Sequence, residues 1–171
     1  MTIPFARYLN IREAYTPSFS PDGKRLLFRI HPQTAIIDLS KGWTEQTPTF
    51  LPPYPEENGY FVGWDWSPDG TKVIGGIGSD ARGITYYSFE TNTYTKVFDE
   101  DSEPKWLTDN RRILFVHHGK ICLLDIYTKK LHELYHRDHE TISSVGISKD
   151  NTFVYFVART AESDIWLLDL Q

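Results

Sequence analysis

The sequence predicts an all-β protein made of four similar antiparallel sheets, and three observations support this prediction. First, Ser-Pro-Asp-Gly occurs at residues 20–23 and again at 67–70, and degenerate copies follow as Leu-Thr-Asp-Asn at 107–110 and Ser-Lys-Asp-Asn at 148–151. Second, large apolar residues alternate with small or polar ones around these motifs. Third, aromatic residues make up 15% of the chain and methionine occurs once, a bias typical of strands rather than helices.

The four motifs are predicted to be tight turns at equivalent positions of a repeat. Their aspartates recur at intervals of roughly 40 to 47 residues, the range expected of repeat proteins. Proline at the second position of the first two motifs suits a turn, the aspartate can bond to nearby backbone, and the last position is always Gly or Asn, which most readily adopt a positive φ. The predicted turn residues are Asp22, Gly23, Asp69, Gly70, Asp109, Asn110, Asp150 and Asn151.

Each turn is expected to join two strands, and a third strand follows at a regular distance. Before the second turn, the alternation in FVGWDWS (61–67) predicts Val62, Trp64 and Trp66 on one face of a strand. The third strands are predicted at AIIDL, TYYSF, CLLDI and WLLDL, where the residues in register are Asp38, Ser88, Asp125 and Asp169. The three aspartates of this set are expected to cap the turns that follow.

A weaker fourth strand is expected in each of the first three repeats, at residues 43–49, 93–98 and 130–135. Four short strands repeated about every 40 to 45 residues are typical of β-propeller blades, in which each sheet buries its faces against its neighbours. We therefore predict one all-β domain over residues 1–171, a β-propeller of about four blades, each a three- to four-stranded antiparallel sheet. The predicted blades span residues 14–50, 60–98, 103–135 and 141–170.

The two ends of such an array need a cover, because open first and last blades would expose large apolar faces. Three arrangements meet this constraint: a closed four-bladed ring, a homodimer that completes a ring of about eight blades, or a chain that is part of a longer propeller. In either closed form, TIPFARYL at residues 2–9 can supply the outer strand that the last repeat lacks. Residues 1–13 are therefore the candidate closing strand.

The repeated motif also carries a family resemblance. Ser-Pro-Asp-Gly, with an aromatic residue before it and a Lys- or Arg-led apolar strand after it, resembles the TolB-like β-propeller repeat. This WD40-like repeat also builds the N-terminal propellers of prolyl-oligopeptidase and dipeptidyl-peptidase relatives. RYLNIREAYTPSFSPDGKRLLFRI at residues 7–30 is similar to the opening of such a propeller, and DIWLLDL at 164–170 to a late inner strand. The resemblance implies a propeller and leaves the function open, because propellers host many unrelated activities.

The resemblance implies two alternatives from the enzyme class. The chain would be the gating propeller of a prolyl-oligopeptidase-like serine peptidase that lacks its hydrolase domain, since it contains no G-x-S-x-G motif. Alternatively, it would be a metal-dependent propeller lyase or hydrolase, because some propellers with related repeats bind a metal through histidines and cleave uronate sugars.

The histidines by themselves do not predict a metal site. His132 and His136 would share a face only on a helix, and on a strand His117 and His118 point to opposite sides. With His139, they are expected to be solvated residues of loops and sheet edges. We therefore expect no metal, no cofactor and no catalytic residue.

Charge and hydropathy exclude several classes of partner. The net charge is −5 and no long basic run occurs, so we expect no nucleic-acid partner. No stretch of about 18 apolar residues is present, so we expect no membrane span. The first residues lack a signal-peptide pattern, and the sequence as written predicts a cytoplasmic protein, or a periplasmic one if a signal peptide was removed.

The expected function is recognition of a protein or a peptide by a non-catalytic propeller. The segment TFLPPYPEENGYF at residues 49–61 accounts for the longest interval between turns and is rich in proline and aromatic residues. Insertions between blades project from the surface and often contact partners. We therefore expect Tyr54 and Tyr60 to be exposed and to anchor a partner at the mouth of the propeller.

Overall fold

Fourteen strands make up the regular structure of the described part of the chain, and they form four antiparallel sheets. The computed structural model describes residues 14–42, 44–56, 59–78, 82–100 and 102–160. None of these residues lies in a helix, so the described part contains no helix that could cross a membrane. The all-β prediction is therefore confirmed.

The strands follow one another in chain order within the sheets. The first sheet contains β1 (Tyr15–Phe19), β2 (Arg25–Ile30), β3 (Gln33–Asp38) and β4 (Thr49–Phe50). The second contains β5 (Tyr60–Trp66), β6 (Lys72–Gly78), β7 (Ile84–Ser88) and β8 (Thr93–Phe98). The third contains β9 (Lys105–Trp106), β10 (Arg112–His117), β11 (Lys120–Asp125) and β12 (Leu131–Tyr135), and the fourth pairs β13 (Glu140–Ile147) with β14 (Val154–Thr160).

Successive sheets pack face to face, and neighbouring residues of one strand serve different interfaces. Val73 of β6 belongs to the core between the first two sheets, together with Leu27 and Trp66. The next residue, Ile74, points the other way and belongs to the core between the second and third sheets. Because successive side chains of a strand alternate between its faces, a sheet that is apolar on both faces needs a neighbour on each side. This is the blade arrangement that the sequence predicts.

Two sequence predictions about strands fall on residues outside the described ranges. The third strand of the last repeat, WLLDL with Asp169, and the candidate closing strand at residues 1–13 both lie there. The single domain over 1–171 with its predicted blade boundaries, and the homodimer, stay predictions. In the described part, β14 leaves several large side chains exposed: Val154, Tyr155, Phe156 and Val157, with Phe153 just before it.

The fourth strand of the first sheet is shorter than the predicted strand at 43–49. It is reduced to β4, Thr49–Phe50, which pairs with Ala35 and Ile36 of β3. The residues before it turn instead, since the Glu45 N–H donates to the Gly42 carbonyl at 2.8 Å. Pro48 then stands directly before the strand, and a proline has no N–H to give to a ladder.

The predicted common face of Val62, Trp64 and Trp66 is also wrong. The register of β5 against β6 shifts at Trp64, which makes this residue a β-bulge. Trp66 consequently faces the first sheet, where its Nε1 donates to the Ser18 carbonyl at 3.1 Å. Trp64 lies on the other face, over Gly76, where a Cβ would come within 2.6 Å of the Trp64 ring.

The four repeated turns share one backbone geometry. Their last residues have positive φ values of 69° at Gly23, 70° at Gly70, 56° at Asn110 and 59° at Asn151. In each turn the N–H of that residue donates to the carbonyl of the first residue of the motif, at 2.8 to 3.3 Å. The carboxylate of each turn aspartate accepts the N–H of the residue two positions later, which is Lys24, Thr71, Arg111 and Thr152 in turn.

Hydrogen bonds join each of these turns to the next. Arg25 Nη2 donates to the Gly70 carbonyl at 3.2 Å. The Asp69 N–H donates to Asn110 Oδ1 at 2.8 Å, and Asn151 Nδ2 donates to Thr108 Oγ1 at 3.0 Å. The four turns therefore lie together along one edge of the array, which we call the turn edge. The opposite edge carries the β2–β3 and β10–β11 turns and the connections between sheets, and we call it the connection edge.

The aspartates after the third strands cap their turns in a similar way. Asp38 Oδ1 accepts the Ser40 N–H at 2.9 Å after β3. Asp125 Oδ1 accepts the Tyr127 N–H at 3.0 Å after β11. These bonds satisfy backbone donors in the turns that lead to β4 and β12.

Substitutions at Asn110 will separate its two contributions to stability, which are the positive φ that closes its turn and the hydrogen bond that it accepts from the Asp69 N–H. Asn110→Gly keeps a residue that accepts positive φ and loses only the bond to Asp69, so we expect a loss of about 0.5–1.5 kcal/mol in the free energy of unfolding. Asn110→Ala loses the same bond and also places at positive φ a residue without the local hydrogen bonding that lets Asn tolerate this region, so relative to Asn110→Gly it should cost about 1–2 kcal/mol more. Gly23→Ala is the control, because a Cβ there meets no atom within 4 Å and reports the backbone cost alone. Equal denaturant stability of Asn110→Gly and the wild type would contradict the role of the inter-turn bond.

Acid will weaken the last turn in a defined pH range. Hydrogen bonds from the Ser148 hydroxyl and from Thr152 lower the pKa of Asp150 to about 2, below the value of about 3.9 for an unfolded chain. A carboxyl whose pKa is depressed in the folded state stabilises it above the unfolded pKa, and this contribution is lost as pH falls from about 4 to about 2. NMR titration should find Asp150 near this value, and Ser148→Ala should raise it. An unchanged titration in Ser148→Ala would contradict the assignment.

Candidate functional site

A groove between the first two sheets is the site that the sequence singles out. It opens near the connection edge and has a volume of 190 Å³. The β2–β3 turn, the connection from β4 to β5 and Tyr94 of β8 line it. We call it the tyrosine groove; its lining residues are Pro32, Gln33, Thr34, Leu51, Pro52, Pro53, Tyr54, Gly59, Tyr60, Phe61 and Tyr94.

The structure brings Tyr54 and Tyr60 to this one groove, but neither is exposed as predicted, since both are half-buried. The Tyr54 ring meets the Tyr94 ring edge-on, with centroids 5.3 Å apart. Burial, with the nearby Glu56 carboxylate, raises the pKa of Tyr54. The insertion folds back because the Tyr94 hydroxyl donates to the Pro52 carbonyl at 2.5 Å.

Tyr60 lies at the other side of the groove among basic side chains. Its ring meets the His31 ring edge-on at 5.2 Å, and the Arg29 guanidinium lies over its face at 5.5 Å. Arg29 Nη2 is 2.6 Å from His31 Nδ1. The β2–β3 hairpin thus places a cation and an imidazole beside Tyr60, which favours ligands that carry an acceptor or an acidic group there.

The floor of the groove is held by one buried hydroxyl. Thr34 is 3% exposed, and its Oγ1 donates to the Phe61 carbonyl at 2.7 Å and accepts the Gly63 N–H at 3.0 Å. These bonds tie β3 to β5 across the sheet interface. The sheets approach so closely that a Cβ at Gly63 would come within 3.1 Å of both Leu27 and Thr34 of the first sheet. The groove therefore has a fixed floor.

Two histidines and a glutamate meet elsewhere on the connection edge. β10 ends at His117, and His118 leaves the strand with a φ of 48°. The two rings lie with centroids 4.0 Å apart, and Glu100 Oε2 is 3.6 Å from His117 Nδ1 and 3.3 Å from His118 Nε2. The prediction that the histidines point to opposite sides is wrong, because it assumed that both lie in a strand. We call Glu100, His117 and His118 the Glu100 cluster.

The remaining predicted histidines do not join this cluster. His132 lies in β12 and is exposed, as are His136 and His139. His136 Nδ1 pairs with Glu133 Oε1 at 2.5 Å. Across the described ranges, only the Glu100 cluster brings three His, Cys, Asp or Glu side chains together with all ligand atoms within 4.8 Å of one another.

Two larger grooves near the turn edge were missed by sequence reasoning. One, of 630 Å³, runs between the first two sheets past Arg25 and Phe50. The other, of 430 Å³, is lined in part by Asp65 and Trp106. Asp65 is half-buried there; desolvation raises the pKa of its carboxyl, and its Oδ2 accepts the Trp106 N–H at 3.1 Å. This carboxylate thus ties β5 to β9, a role that only the three-dimensional packing reveals.

Comparison with known proteins decides the fold. No protein-family model matches the chain, and no curated protein matches it significantly. Among solved structures, TolB from Acinetobacter baumannii aligns with a TM-score of 0.55 at 19% identity over 84% of this chain. A putative TolB from Agrobacterium tumefaciens aligns with a TM-score of 0.58 at 16% identity over 89% of this chain. The fold is that of a TolB-like β-propeller.

Another propeller structure extends the likeness. Oligogalacturonate lyase in complex with manganese aligns with a TM-score of 0.68 at 12% identity over 87% of this chain. The chain spans 43% of the Acinetobacter TolB structure, 72% of the Agrobacterium one and 47% of the lyase structure. At these identities the likeness concerns the propeller fold alone.

Removing the Tyr54 ring should destabilise the protein. Tyr54→Ala deletes its contact with Tyr94, and we expect a loss of about 1–2 kcal/mol in the free energy of unfolding. Tyr54→Phe should stay within about 0.5 kcal/mol of wild type, because the hydroxyl's contact with Glu56 is long at 3.4 Å. Tyr127→Ala is the control, since Tyr127 is 60% exposed. Equal urea midpoints for Tyr54→Ala and the control would show that the ring does not contribute to packing.

Proposed function

We propose that the protein is a non-catalytic propeller that recognises a peptide, or an extended segment of a partner protein, in the tyrosine groove. The observation that carries this proposal is the lining of the groove, where Tyr54, Tyr60 and Tyr94 meet Pro52 and Pro53 on a fixed floor. Tyrosine offers a large rigid contact surface with a polar end, and this is why tyrosine is enriched at interfaces. Grooves lined by aromatic residues bind extended, proline-containing segments well.

The chemistry around Tyr60 defines the preferred ligand further. An extended peptide would stack an apolar or proline side chain on the tyrosines, and its backbone would bond to exposed Gln33 at the rim. Arg29 and His31 stand beside Tyr60, so an acidic side chain next to the apolar one would be favoured. The chain as a whole is acidic, with a net charge of −5, so this preference is local to the β2–β3 hairpin.

Peptide selection with a variant of the groove rim tests the proposal. Peptides selected from a random displayed library against the wild-type protein are measured by fluorescence anisotropy. Gln33→Glu adds a carboxylate on the β2–β3 hairpin that carries Arg29 and His31, and it removes no core contact, since Gln33 is exposed; because the new carboxylate opposes an acidic ligand side chain, we expect affinity to fall by about tenfold or more. Thr128→Glu is the matched control, because it adds the same charge at the turn edge and should leave affinity unchanged.

Two outcomes would contradict this function. A library that yields no peptide whose binding is reduced by Gln33→Glu would show that the groove is not the recognition site. Affinity lost equally in both glutamate variants would show a charge effect without site specificity. Unchanged urea midpoints of both variants serve as the folding control.

In the purified protein, only the metal-dependent alternative predicts a signal that distinguishes it from recognition. A serine peptidase would react with a fluorophosphonate probe, but a gating propeller without its hydrolase domain would not. A metal-dependent lyase would release unsaturated products from an acidic polysaccharide in the presence of a divalent metal. Recognition without turnover predicts neither signal, and a metal-dependent increase in absorbance with such a polysaccharide would favour the lyase.

A further inference from the structure

Three metal-ligating side chains converge on the connection edge between the second and third sheets. Glu100 lies in the connection from β8 to β9, His117 ends β10, and His118 opens the β10–β11 turn. Residues distant in sequence are thus brought together by the packing of two sheets. The carboxylate oxygen Glu100 Oε2 stands 3.6 Å from His117 Nδ1 and 3.3 Å from His118 Nε2.

These separations match those of ligand atoms around a tetrahedral metal ion. Zinc binds imidazole nitrogen and carboxylate oxygen at about 2.0–2.2 Å, which places neighbouring ligand atoms about 3.3–3.5 Å apart. The two observed oxygen–nitrogen separations lie in or close to this range, and the three ligand atoms all lie within 4.8 Å of one another. We propose that the Glu100 cluster binds one divalent transition-metal ion, with zinc as the best match, and that the ion keeps one coordination position open.

The fold positions the His117 imidazole and the backbone of His118. The His117 side chain is 20% exposed, and its ring meets the Phe98 ring edge-on at 5.0 Å. The turn that carries His118 is held to the fourth sheet, because the Gly119 carbonyl accepts the Ile142 N–H at 3.2 Å. The side chains of His118 and Glu100, at 71% and 55% exposed, can adjust to an ion. One positioned nitrogen beside two adaptable ligands reduces part of the ordering cost of binding.

The three side chains are close enough to share one ion. The imidazole rings lie with centroids 4.0 Å apart, and the Glu100 carboxylate reaches both of them. A carboxylate among the ligands also balances part of the charge of a divalent ion. Glu103 follows in the same connection, whereas Asp99 is paired with Lys96 at 3.2 Å.

The donor set also determines which metal is preferred. Two imidazole nitrogens and one carboxylate oxygen suit zinc, nickel or copper, whereas magnesium and calcium prefer all-oxygen sites. Three protein ligands with one open position are typical of zinc sites that hold water or an oxygen atom of a ligand. The open position would accept water, a carboxylate or a carbonyl oxygen at the connection edge.

Metal binding to matched variants tests the site. Metal-free wild-type protein is titrated with Zn²⁺ by calorimetry, and a parallel Co²⁺ titration follows the visible absorption of a tetrahedral site. Glu100→Gln removes the charged ligand while preserving its shape. His118→Asn removes a ligand and keeps a residue that tolerates the positive φ. His136→Asn is the control, because it removes an exposed histidine outside the cluster.

We expect wild type and the control to bind one Zn²⁺ per chain with equal affinity. Both cluster variants should bind at least about tenfold more weakly and lose the Co²⁺ absorption, and Mg²⁺ should not compete. Wild-type protein that binds no stoichiometric Zn²⁺ would overturn the proposal. It would also be overturned if His118→Asn bound as wild type, or if His136→Asn lost binding equally. Circular dichroism at each metal ratio shows that the variants are folded.

Discussion

A residue in the left-handed conformation at the end of each repeated turn is the constraint on which the rest of the array depends. At Gly23, Gly70, Asn110 and Asn151 the positive φ closes the turn and directs the next strand back along the first. At Asn110 and Asn151 the side chain also reaches a neighbouring turn. In the third and fourth turns the same residue therefore shapes its own sheet and fixes that sheet against the one before it, whereas Arg25 joins the first turn to the second.

The alignment of the turn edge leaves the opposite edge free to vary. Connections between sheets differ in length and composition, and the two candidate sites lie there: the tyrosine groove on the longest connection and the Glu100 cluster on the acidic one. Rigid sheets with variable connections are a common basis for function, since the scaffold positions side chains that loops supply. Here Thr34 fixes the floor of one site, and Gly119 fixes the turn that carries the other.

The turn motifs and the alternation of apolar residues predicted the fold, whereas features that depend on contacts between residues distant in sequence were missed. Gly or Asn after Asp specifies a turn within four residues, so the turn positions could be predicted from the sequence alone. The bulge at Trp64 could not, because it depends on which sheet Trp66 faces. Tyr54 was expected to be exposed, and its burial arises from Tyr94, which is distant in sequence. The Glu100 cluster could not be predicted from the sequence, because it depends on β10 ending at His117 and on the connection after β8 passing beside that residue.

The opposed directions of Val73 and Ile74 have a consequence for how the molecule comes apart. In the described part of the chain, the second and third sheets pack against a neighbouring sheet on both faces, so the coupling between sheets is of the nearest-neighbour kind known from repeat proteins. Loss of either of these sheets would remove two interfaces at once. Their amide hydrogens are therefore expected to be the best protected from exchange.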